Sequence, residues 1–68
     1  MFTERDTGAI FAVLTGILED GASLAAEGQA ADASLPRLRQ ITGDLRQSLR
    51  EADRQLSQIG QILDQEAP

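Results

Sequence analysis

The acidic pairs Glu19/Asp20 and Glu51/Asp53 are the nearest this chain comes to a reactive constellation. Paired carboxylates can hold a hard cation or share general acid and base roles when both project toward one point. Residues one or two apart on a helix do not share a face, so both pairs read as solvated surface. His, Cys, Lys and Tyr are all absent. With them go the imidazole base, the thiolate nucleophile, the Schiff-base amine and the phenol. No glycine-rich phosphate loop, calcium loop or zinc spacing occurs. The expectation is a non-enzymatic protein with no cofactor, no metal site and no small-molecule substrate.

Charge is the next place to look for function. Arg46, Arg50 and Arg54 stand four apart, on one flank if the segment is helical, with Arg39 upstream. They read either as a solvated flank balanced by Glu51, Asp53 and the acidic first half, or as a docking strip for an acidic protein surface. Nucleic acid is a poorer fit, because the net charge is −5 and no aromatic residue lies nearby for stacking. Residues 1–34 carry six acids and one base, whereas residues 35–68 are neutral. That asymmetry motivates a rival function, an acidic inhibitor that occupies the basic surface of a nucleic-acid-binding protein. Phe2 and Phe11 are the only aromatics. Each reads as core packing or as an apolar anchor for a partner.

These residues need a scaffold, and Leu35 to Leu63 supplies its strongest signal. With Leu35 at position a of a heptad, the a and d sites are Leu35, Leu38, Thr42, Leu45, Leu49, Ala52, Leu56, Ile59 and Leu63. Thr42 is the one polar residue among them. Such a repeat lets one helix lay a continuous apolar strip on another. Ile41 and Ile62 fall at g and widen the stripe, which suits a bundle. Ser34 is the expected N-cap, with Pro36 in the first turn.

An earlier amphipathic pattern runs through Ile10, Val13, Leu14, Ile17, Leu18, Gly21 and Leu24. Thr3 and Asp6 form a weak capping box for it. The spacing predicts a first helix over about 4–26, a connection over 27–34 with Gly28 as a C′ candidate, and a second helix over about 35–65. An end near Asp20 is the alternative for the first helix. Gly8, Ala12 and Gly16 form a low-bulk ridge, by chance or for close approach.

Folding the chain back near residue 30 gives an antiparallel hairpin that sets Ile17 beside Asp44 and Phe2 beside Ile59. The expected contact sets Leu38, Leu45, Leu49, Leu56, Ile59 and Leu63 against Ile10, Leu14, Ile17 and Leu24. One hairpin does not cover both stripes, and two hairpins joined as a four-helix bundle do. The fold expectation is thus all-α, a single coiled-coil-like hairpin domain that dimerises.

Function follows as a protein–protein interaction module: a small adaptor, regulator or assembly subunit. Its partner is a second copy or the helices of another protein, and in the latter case a small chaperone folded only with its partner also fits. The apolar run Ala9–Leu14 falls short of a bilayer span, and the acidic N-terminus lacks the form of a secretory signal. A cytoplasmic setting without a membrane span is the default.

Overall fold

The structure, a computed structural model, describes residues 4–30 and 32–66, with side chains described within 7–30 and 32–65. Two helices, α1 (Glu4–Gly28) and α2 (Leu35–Glu66), pack against each other as an antiparallel hairpin. Thr3 and Phe2, and with them the expected first cap and the pairing of Phe2 with Ile59, lie outside the described residues.

α1 continues to Gly28 rather than stopping near Asp20 or Ala26. Gly28 is not the left-handed cap that its position suggests, since no glycine among the described residues has a positive φ. The helix closes instead by tightening. Gln29 N–H donates to the Ala26 carbonyl at 3.1 Å, and Ala30 N–H to that of Glu27 at 3.1 Å. These three-residue bonds satisfy carbonyls that an α-helix end would otherwise leave open.

α2 begins at its expected cap. The Arg37 amide donates to Ser34 Oγ at 3.3 Å, and the Leu38 amide donates to the Ser34 carbonyl at 2.9 Å. Pro36 occupies the first turn, where a missing amide hydrogen costs nothing. Between the helices, Arg37 pairs with Glu27.

The register departs from the simple fold-back by about one and a half to two helical turns. Gly21 sits at the level of Leu45, which the fold-back sets near Gly16 and Ile17, and an added Cβ there would stand 3.7 Å from Leu45 Cδ2. At Gly28 the corresponding distance to Ile41 Cγ2 is 3.9 Å. α1 ends two residues later than expected, which carries the bend further along the chain and accounts for part of the slide.

On α1 the inward positions are Ile10, Leu14, Ile17, Gly21, Leu24 and Gly28, each buried or half-buried. On α2 they are Leu38, Ile41, Leu45, Ser48, Ala52, Gln55, Ile59 and Ile62. Both series step by three and four alternately, the spacing of a coiled-coil contact. The core is thin. Leu14, Ile41, Ala52 and Ile59 are its buried members, and no described side chain falls below 2% exposure.

The result is a rod of 53 × 15 × 13 Å with a radius of gyration of 15.8 Å. A compact chain of this length would have a radius of about 11 Å. The shape puts most side chains on a surface, so the disposition of the apolar ones decides what the hairpin can do.

Candidate interaction face

The expected contact set divides between two surfaces. Ile10, Leu14, Ile17 and Leu24 of α1 meet Leu38, Leu45 and Ile59 of α2, and these stay in the hairpin contact. Leu49, Leu56 and Leu63 do not belong to it, being 62%, 50% and 56% exposed. The g column takes their place, with Ile41 the most buried residue at 3% exposure. The physical reason is the width of the stripe. With d at the centre, g turns toward α1 and a turns outward, and all three columns repeat every seven residues. Ser48 and Gln55 make the g column look polar, although both are half-buried.

The outward a column is Leu35, Thr42, Leu49, Leu56 and Leu63, a line along one side of α2. α1 carries its own outward line at Phe11, Thr15, Leu18, Ala22 and Ala25, stepping by four and three. Phe11 and Leu18 are 48% and 52% exposed. The two lines border the same side of the hairpin, because Leu18, Ala22 and Ala25 line one groove together with Leu45 and Leu49. That groove has a volume of about 280 Å³, with Ile17, Gly21 and Ser48 completing its lining. It exists because Gly21 has no side chain and Ala22 and Ala25 have small ones. α1 is therefore hollowed opposite the bulky leucines of α2.

Two threonine hydroxyls on this side bond within their own helices. Thr15 Oγ1 donates to the Phe11 carbonyl at 3.0 Å, and Thr42 Oγ1 donates to that of Leu38 at 2.9 Å. The hydroxyls of Thr15 and Thr42, one on each outward line, are thus already engaged. Covering these two strands no unmade donor, which is the main penalty for burying a polar group; Ser48 in the groove lining makes no such bond among the described residues.

The ridge Gly8–Ala12–Gly16 is exposed, with open space beside both glycines. It makes no close approach in the hairpin, unlike Gly21 and Gly28. The acidic pairs are separate as well, for no three carboxylates among the described residues gather to hold a metal ion. Glu51 instead accepts from Arg54 Nη1 at 2.8 Å and from Gln55 Nε2 at 3.1 Å.

Of the arginines marked for docking, Arg54 is therefore held within its own helix. Arg46 and Arg50 are exposed and make no ion pair among the described residues, as is true of Arg39. Phe2 lies outside the described residues.

One stretch of α1 bears on the expectation that no segment spans a membrane. Thr7–Gly28 is a 22-residue helical stretch long and apolar enough, by length and composition, to cross a bilayer. A single helix of this kind is weak evidence for a span, since the core helix of a soluble protein has the same length and composition. Glu19 and Asp20 stand near the middle of that stretch. An ionised carboxylate at the centre of a spanning helix costs about 2.5–3.5 kcal/mol, and the stretch already has α2 along its inner side.

Compared with protein-family models, with curated proteins and with solved structures, the chain matches none.

Proposed function

We propose that this protein is a non-enzymatic helical interaction module, and that two hairpins join through the leucine side as a four-helix bundle. The observation that supports the reading most is the line of Leu49, Leu56 and Leu63 beside Phe11 and Leu18, on a hairpin with four buried residues among those described. A contiguous apolar side of this kind marks an interaction surface, and a core so thin makes the same surface a requirement of stability.

Area agrees with that requirement. The chain exposes 5198 Å², whereas a compact protein of its mass would expose about 4,200 Å². The excess, roughly 1,000 Å² per chain, is of the size that a standard interface removes, about 800 Å² per partner. Folding and assembly are then one process, and the role is that of an adaptor, regulator or assembly subunit. The residue inventory supports a role without catalysis.

The test is solution mass by light scattering across a wide concentration range, with helicity followed on the same samples. A helical species at twice the chain mass, losing helix as it dissociates, is the expected result. A stable, fully helical monomer would overturn the reading. A poorly helical monomer would remove the second copy and assign the leucine side to another protein's helices.

A further inference from the structure

A second copy can lie face to face on the leucine side in two symmetric ways. With the two-fold axis along the rod, α1 of each copy lies over α2 of the other and both connections sit at one end. With the axis across the rod, α1 lies over α1, α2 over α2, and the connections point in opposite directions. Resting on the reading of this side as a dimer interface, we propose that the axis runs along the rod, and that Glu19 of each copy meets Arg46 and Arg50 of the other at the rim.

Charge carries the choice. Glu19 follows Thr15 by four and precedes Ala22 by three, so it lies on the outer border of the α1 line. Arg46 precedes Leu49 by three and follows Thr42 by four, on the outer border of the α2 line. Arg50 lies one turn further along the same outer flank. All three are exposed and unpaired among the described residues, whereas Glu27, Arg37, Glu51 and Arg54 are already in ion pairs.

A rotation about the rod keeps every residue at its own height. The hairpin register sets Gly21 level with Leu45, which puts Glu19 within about one turn of both Arg46 and Arg50. Each carboxylate then meets guanidinium groups of the partner, twice per dimer. The other arrangement stacks α1 on α1, where Glu19 faces no base among the described residues, and α2 on α2, where Arg46 and Arg50 share their flank with the exposed Asp53. Rim charges of opposite sign fix orientation more than they add affinity.

The absence of cysteine allows a clean test on the full chain. A nitroxide on Gln29→Cys marks the connection end of each hairpin, and the label-to-label distance is read on samples whose mass is measured in parallel. Two connections at one end give roughly 15–25 Å, a bundle diagonal plus label arms. Opposed connections give roughly 45 Å or more, approaching the 53 Å length of the rod.

A dimer at the short distance supports the proposal. A dimer at the long distance overturns it and leaves the interaction module standing. A chain that is monomeric at every concentration overturns the homodimer itself, and with it the orientation. Charge exchange is the second measurement. Glu19→Arg or Arg46→Glu alone is expected to weaken dimerisation about tenfold at low salt, and the two together to restore most of it. Single variants that bind as tightly as the parent would remove Glu19 and Arg46 from the interface.

Discussion

Gly21 lies level with Leu45, and a methyl group built on it would stand 3.7 Å from Leu45 Cδ2. That distance is ordinary van der Waals contact, so the glycine is not demanded by a clash. It is an exception on the inner side of α1, where Leu14 and Ile17 precede it. Its effect is to leave α1 hollow beside Leu49 and so to shape the groove.

Gly21→Ala is therefore expected to stabilise the protein by about 1 kcal/mol, the helix-propensity difference, without disturbing the hairpin. Gly16→Ala, with nothing within 4 Å of its Cβ, is the reference for propensity alone. Thermal melts of the two variants at one protein concentration make the comparison. If Gly21→Ala melts below the parent while Gly16→Ala melts above it, the closeness of α1 and α2 at this level is greater than the structure gives.

Ile41 and Leu49 separate the two surfaces of α2. Ile41 is 3% exposed and Leu49 62%, although both belong to one apolar stripe. Ile41→Ala is expected to cost about 2–4 kcal/mol of hairpin stability through the cavity it leaves. Leu49→Asp adds no charge to the hairpin contact. It is expected to abolish dimerisation, because assembly would bury an unpaired carboxylate. Light scattering and helicity across a concentration range distinguish the effects: Ile41→Ala is expected to regain the helical dimer as concentration rises, whereas Leu49→Asp stays monomeric. A Leu49→Asp protein that stays dimeric would exclude the leucine side as the interface.

The contrast between those residues also shows how far the sequence could be read. Two helices and the cap at Ser34 were legible because caps and apolar periodicity are local signals. Which column of a seven-residue repeat faces which neighbour is not local. Leu35, Leu49, Leu56 and Leu63 look more like a contact line than Ile41, Ser48, Gln55 and Ile62 do, yet the second set faces α1. A width of three columns on α2 was the available signal that two surfaces had to be served. The register was hidden for a related reason. It depends in part on where α1 stops, and Gly28 ends the helix by tightening its last turn rather than by a left-handed cap.

Ser34 starts α2 with a side-chain hydrogen bond to the Arg37 amide at 3.3 Å. Ser34→Ala is expected to lose about 0.5–2 kcal/mol, and Ser34→Asp to retain the cap and add a favourable charge at the helix N-terminus. Denaturant unfolding of the three proteins checks this, with Ser34→Asp at or above the parent. Since Glu27 and Arg37 are 52% and 39% exposed at their side chains, Arg37→Ala is expected to cost no more than about 1 kcal/mol, less at high salt. A larger loss would mean that the pair organises the connection rather than decorating it.

Thr42 is the polar break in the outward column, between Leu35 and Leu49. Its hydroxyl donates to the Leu38 carbonyl at 2.9 Å, so the residue is compatible with a covered position while contributing little apolar area to it. Thr42→Leu would extend the line by one heptad toward the connection, at the level of Ala25. If the interface reaches that level, the added side chain finds small neighbours and is buried, contributing about 1–2 kcal/mol per copy. Dimerisation is then expected to tighten by at least about tenfold, with a matching rise in the concentration-dependent melting temperature. The helix itself also favours leucine over threonine by a few tenths of a kcal/mol or so. A helical rise in stability that does not depend on protein concentration would therefore reflect propensity alone. That outcome would place the end of the interface between Thr42 and Leu49 and confine the contact to the heptads of Leu49, Leu56 and Leu63.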